Sequence, residues 1–361
     1  MGYSYYDLEA MTGPLFPIVT MEEKIMKTIA KGALGALWTA SALLACGGVT
    51  FAAQMAKFSY PVAKDSTMGR TVEHFSSLVE DKTGGDITVR NFSDAQLGNE
   101  IQSAQSAQGG TIEFTVTTTA ALASNVPDFN LFNLPFTFSS YEQLDKVSRG
   151  PTSKKVLAKL QDSQLVGLCY WDYGFRNLTN NEHPVKNMAD AAGLRVRTIQ
   201  NGVYIDSMKA MGMNPQPLPF PETFTALETG ALDAVEIAND VTRAASFYEV
   251  QKYLTETKHL TTLSVVLVSK QFWDSLSAEN QEKIQAACDE TSDFNRNIIV
   301  ESGAETLQFL KDQGMEVSEI SPEALAEFKT AVEPVVTQVH ATIDPELTAA
   351  FTAEVEAAAS N

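Results

Sequence analysis

Between Lys57 and Val116 the hydrophobic pattern switches repeatedly between two periods. Lys57 to Tyr60 reads as a short strand. From Thr67 to about Asp81, Met68, Val72, Phe75 and Leu78/Val79 share one face of a helix, which Gly84-Gly85 ends. Ile87 to Phe92 alternates as a strand, Gly98-Asn99-Glu100 opens a second helix, and Thr111 to Val116 is a third strand. A β-α-β-α-β order predicts a mostly parallel sheet with helices on its faces. The pattern restarts later. Leu165 to Trp171 and Arg195 to Thr198 read as strands. A helix carries Val203, Met208 and Met211 and stops at Gly212. Pro221 starts another helix that Gly230 ends, and Leu232 to Ile237 is a strand. The chain of 361 residues therefore holds two α/β units in series. Ser277 to Gln313 is the longest helical stretch, roughly 50 Å if unbroken, with Gly303 as a candidate kink. A helix of that length predicts a span across both units. A further helix starts at Ser321-Pro322, and the C-terminal tail reads as helical.

The N-terminal region carries an export signal rather than a domain. Met26 to Lys31 is basic, Gly32 to Val49 is uncharged and apolar or small, and Thr50-Phe51-Ala52 has the small-residue pattern of a cleavage site. Residues 1–53 are read as a leader with a signal peptide at 26–53, cut after Ala52 or Ala53, and with Met21 or Met26 as the functional start. A membrane anchor is the alternative, but the run barely reaches the ~20 residues of a span. Leu43-Leu44-Ala45-Cys46 loosely resembles a lipobox, which would place a lipid on Cys46. The destination is periplasmic. Cys169 and Cys288 read as small core residues rather than as a disulfide.

The formal net charge of -19 argues against nucleic acid or an anionic membrane surface as partner. It leaves room for a small anion, because distant charges are screened within roughly 8–10 Å. Catalytic motifs are missing: no G-x-S-x-G elbow, no H-E-x-x-H, no dinucleotide or P-loop glycine pattern. His74, His183, His259 and His340 do not pair at metal-ligand spacing; His74 and His183 read as solvated. An exported two-unit α/β chain without a nucleophile, metal or cofactor signature suggests a binding protein whose ligand sits between the units. In Gly193-Leu194-Arg195-Val196-Arg197-Thr198 two arginines share one strand face with no acid close behind them. Periodicity does not choose between them.

From Phe58 to about Leu310 the chain resembles the solute-binding component of a tripartite ATP-independent periplasmic (TRAP) transporter, of the dicarboxylate-binding type. GGDITVRNFSDAQLGNEIQSAQSAQGGTIEFTV, NLFNLPFTF and the stretch from Gly193 to Glu236 carry the match. In the last of these, Gly-Leu-x-x-Arg is followed by Pro-Phe with Glu, Ala-Leu-x-Thr-Gly and Asp. The resemblance implies a two-lobed periplasmic binding protein fold, α/β, with a ligand cleft between lobes and a long helix spanning both. The implied lobes are 54–174 plus 263–302, and 175–262 plus 303–361.

The same resemblance implies that Arg197 clamps a ligand carboxylate, for which a permanently charged planar fork is suited, while Arg195 is structural or exposed. It implies that Arg176 assists, that Phe220 packs on the ligand and that Thr118 contacts it. Trp171, Tyr60 and Lys64 are further candidates near the cleft. Glu236 is a ligand contact, a hinge hydrogen-bond partner or the partner of a buried arginine. One departure matters: Ile237 stands where many relatives carry an amide that bonds the ligand, leaving Asn239 or Asp240 as a substitute. The implied partners are a small organic acid and membrane permease subunits, with the receptor a monomer and no cofactor or metal. A receptor feeding a sensor kinase, or a periplasmic hydrolase, are the competing readings.

Overall fold

In the computed structural model residues 53–359 are described; the expected signal segment up to Ala52, and Cys46 with it, lie outside them. Within the described residues no helix is long and apolar enough to cross a membrane.

Nine strands form one mixed sheet. β1 (Gln54–Ser59), β2 (Ile87–Phe92) and β3 (Phe114–Thr118) make a parallel set with β1 in the middle. β4 (Leu165–Asn180) crosses the sheet. β5 (Arg195–Thr198), β6 (Asn214–Pro217) and β7 (Ala234–Ala238) make a second parallel set with β5 in the middle. β8 (Tyr253–Ser269) is antiparallel to both β3 and β4, and β4 is antiparallel to β7. β9 (Glu316–Glu319) adds to β8 in parallel. The parallel sets match the sequence pattern except at β6, which has no counterpart in it. The pair that joins them does not: β4 runs well past Trp171, and β8 has no counterpart in the sequence reading. β8 is buried along nearly its whole length, so it lacks the alternation by which a half-buried strand is recognised.

The helices follow their sequence signals closely. Thr67–Thr83 is capped by the Ser66 side chain, which accepts from Gly69 N, and ends at Gly84, whose φ is 66°. Its Met68, Val72, Phe75 and Val79 pack with Phe58, Phe114 and Trp171 in one core cluster. Gly69 is required there, since a Cβ would fall 2.2 Å from the Lys64 carbonyl. The long helix covers Ala278–Asp312, capped by Ser277, and continues through Gly303. Its 35 residues span about 52 Å. One end buries Ile284, Ala287 and Cys288 beside β1 and β3; the other buries Leu310 against Leu254 and Met315. The final helix, Pro345–Ala359, packs on the Tyr141–Ser148 and Pro151–Ala158 helices. Phe351 there meets Phe132 edge-on, and Thr152 donates from both N and Oγ1 to Glu354.

Two expectations are corrected. Cys169 of β4 and Cys288 of the long helix form a disulfide, with Cα atoms 6.0 Å apart. Both are buried as expected, but they face each other across a strand–helix interface, which neither local pattern reveals. His74 is not free in solvent: it is half-buried and stacks on Phe294 with ring centroids 4.1 Å apart.

Candidate ligand-binding cleft

Arg195 and Arg197 leave β5 on the same side and meet different fates. The side chain of Arg195, near the start of the strand, is 46% exposed. Asp233, at the foot of neighbouring β7, accepts from its backbone N, its Nε and its Nη2. Arg195 is therefore a clip between adjacent strands, and its acid lies 38 residues along the chain. Arg197, two residues deeper, is buried. Its Nε and Nη2 donate to one acceptor, the Leu218 carbonyl, at 3.0 and 2.7 Å. No carboxylate within the described residues bonds to it. Burial and the nearby Arg176 guanidinium push its pKa down to about 10, against the pull of Glu236 and Glu100. It is still cationic at neutral pH, and its charge is under-compensated.

Arg176 of β4 is buried beside it but fully engaged. Its Nε and Nη2 donate to the Glu236 carboxylate, Nη2 also to the Glu236 carbonyl, and Nη1 to Thr262 Oγ1 at 2.8 Å. Its guanidinium lies over the Tyr204 ring, 5.2 Å from the centroid. Of five N–H donors, one Nη1 hydrogen is left. Glu236 of β7 is wholly buried. It also accepts from Thr198 Oγ1 at 2.7 Å and lies 3.5 Å from His259 Nε2. Burial pushes its carboxyl up, but Arg176 and His259 together outweigh that and hold it at about 2. Burial pushes the His259 imidazole down. Among the three readings of Glu236, the geometry is that of a partner to a buried arginine.

Both arginines line a cleft of about 720 Å³ of empty space, its open mouth included. One wall comes from the first parallel set and its connections: Pro61, Val62, Asn99, Glu100, Ile101 and Thr118. The other comes from the second set: Arg197, Ile199, Gln200, Leu218, Phe220 and Ile237. Tyr173 and Arg176 of β4 and Thr262 of β8 form the floor between them. Phe220 also packs near Phe247, with centroids 6.1 Å apart. Thr118 caps the Thr119–Leu122 helix by accepting from Ala121 N, and donates to Glu100.

The structure thus brings Arg197, Arg176, Phe220 and Thr118 together around one cavity, with Glu236 directly behind it. Four other candidates lie elsewhere. Trp171 is in the core, stacked on Phe58 at 6.1 Å; the aromatic residue by which β4 lines the cleft is Tyr173. Tyr60 is buried edge-on to Phe58, and burial pushes its phenol up to about 12; the next two residues, Pro61 and Val62, reach the cleft instead. Lys64 is exposed and paired with Glu73. Asn239 accepts from Asn177 Nδ2 and lines a neighbouring cavity with Asp240. Glu100 was missed, because an acid in the first turn of a helix already has a reason to be there. Within the described residues no cluster of three or more His, Cys, Asp or Glu could hold a metal ion.

Comparison with known proteins agrees in kind. The family model for bacterial extracellular solute-binding protein, family 7 matches residues 58–342. The C4-dicarboxylate-binding periplasmic protein of Rhodobacter capsulatus is 33% identical over 329 residues, 90% of this chain and 97% of that protein. The crystal structure of a sugar acid binding protein from Advenella mimigardefordensis in complex with galactonate superposes with a TM-score of 0.82 at 35% identity. It covers 85% of this chain and 99% of that one. A TRAP periplasmic solute binding protein from Polaromonas bound to D-erythronate gives 0.80 at 33% identity, covering 83% and 98%.

Proposed function

This chain belongs to bacterial extracellular solute-binding protein family 7, and on that footing we propose that it is a TRAP-transporter receptor that captures an organic acid outside the cytoplasm and delivers it to membrane permease subunits. The observation that carries the reading is Arg197: a buried guanidinium at the cleft wall, bonded only to a carbonyl, with no carboxylate of its own. A buried charge without a counter-ion is costly. A ligand carboxylate supplies that counter-ion and meets the free edge of the fork. Arg176, neutralised by Glu236, shapes the cleft floor and has one hydrogen left to offer. Phe220 and Ile237 cover the carbon skeleton.

The lining comes from both walls, so a bound acid touches both and favours the closed arrangement over the open one. The reading is of capture and release without turnover; the members of this family compared above are solute-binding proteins rather than enzymes.

Calorimetry against galactonate, erythronate, galacturonate and succinate tests the clamp. Arg197→Ala is expected to weaken the best ligand by 100-fold or more, since truncating one partner of a buried charge pair costs about 2–5 kcal/mol. Arg195→Ala is expected to stay within about threefold, as an exposed pair contributes about 0–1 kcal/mol. Undiminished affinity in Arg197→Ala would sink the reading.

A further inference from the structure

The relatives divide between a dicarboxylate binder and binders of hydroxylated monoacids. We propose that Glu100 decides the matter in this chain: it accepts a ligand hydroxyl from the cleft wall opposite Arg197, and so admits hydroxylated monocarboxylates of the aldonate type while refusing diacids. This rests on the receptor reading above and specifies its ligand class.

Glu100 is the first residue of the Glu100–Gln108 helix, and the capping box between Asn99 and Gln102 fixes the turn that presents it. Its Oε2 accepts from Thr118 N at 3.0 Å and from Thr118 Oγ1 at 2.8 Å. Those two bonds hold the carboxylate in place with no Lys or Arg neutralising it. Oε1 has no hydrogen-bond partner within the described residues, and Glu100 is part of the cleft lining. An ionised carboxylate can only accept hydrogen bonds. What satisfies Oε1 is therefore a donor, and a hydroxyl is the donor that an organic acid carries.

The charge inventory points the same way. The cationic residues that line the cleft are Arg176 and Arg197. Arg176 is already neutralised by Glu236. That leaves one cation for one ligand carboxylate. A second carboxylate at the far end of the ligand would meet the fixed negative charge of Glu100, and like charges disfavour each other. The remaining polar lining, Asn99, Gln200 and Thr262, is uncharged and suited to hydroxyls.

The test uses matched pairs that differ only in oxidation of the terminal carbon: D-galactonate against galactarate, and D-erythronate against meso-tartrate. Calorimetry on the mature protein is expected to show the better aldonate binding at least 100-fold tighter than its diacid. Glu100→Gln preserves size and removes the charge. It is expected to shrink that ratio at least tenfold, mainly by strengthening the diacid. A diacid that binds wild-type protein as tightly as its aldonate overturns the proposal, and so does an unchanged ratio in a Glu100→Gln protein whose melting profile shows it folded. If that variant does not fold, the wild-type ratio decides alone. The two readings fail differently. Tight diacid binding that is lost in Arg197→Ala leaves the receptor standing and removes only the role of Glu100. Absence of binding to every acid removes both.

Discussion

Arg195 and Arg197 show how two residue positions decide a role. Both are arginines on one strand, yet the first has an acid at the strand edge and the second has burial and a carbonyl. The sequence pattern showed the pair and the strand; the family resemblance singled out the inner arginine. It did not show Asp233 as the partner of Arg195, because that contact follows from β5 lying beside β7. The buried state of Arg197 has a thermodynamic sign. A base whose folded pKa falls from its ordinary value to about 10 disfavours the fold at neutral pH, and the penalty fades only as pH rises from about 10 toward the ordinary arginine value. Arg197→Met is therefore expected to stabilise the ligand-free protein by on the order of 1–3 kcal/mol at pH 7, less what the Leu218 carbonyl loses. The same variant is expected to abolish the thermal shift that ligand gives to the wild type. Denaturant melts of both proteins at pH 7, with and without ligand, check this. A variant less stable than wild type, or one that still shifts with ligand, contradicts the assignment.

Among the elements, those with a clear period or with turn signals at both ends were legible, and the long buried β8 was not. The Thr67–Thr83 helix, β2 and β5 fall where periodicity and caps place them. β8 was invisible, since threonines, serines and aliphatics follow one another in a strand with no solvent face. Trp171 was chosen over Tyr173 because the reading ended β4 too early; the strand continues, and the cleft forms farther along it. The cysteines were read correctly as core residues and incorrectly as unpaired. Their bond ties β4 to the long helix across 119 residues of sequence. Reduction, or Cys169→Ala with Cys288→Ala, is expected to cost about 2–5 kcal/mol in a urea titration. Thiol titration of the unfolded, unreduced mature protein is expected to find neither cysteine free. Two reactive thiols would refute the bridge.

At the scale of the whole molecule the two halves share a floor and touch at the rim. Asp240, which follows β7, accepts from Thr67 N at the start of the first long helix, at 3.2 Å. Phe220 and Tyr173 each pack against core clusters of both halves. The Asp240 bond joins the two rims, and an opening that parts them breaks it. Asp240→Ala is expected to favour the open form, lowering ligand affinity by about 3–10-fold, the size of an ordinary net hydrogen bond of about 0.5–1.5 kcal/mol. Spin labels on the two rims are expected to show a longer ligand-free distance than in wild type. An unchanged distance and affinity would show that this bond does not hold the rims together.

The shared floor has a further consequence. β8 pairs with β3 of the first set, β4 pairs with β7 of the second, and β4 and β8 pair with each other, so the chain returns to the first set after it has built the second. Neither half is a contiguous piece of sequence. Truncation between β4 and β8 leaves a fragment with an unpaired central strand, and recombining two such receptors to change specificity requires exchanging interleaved segments rather than one block.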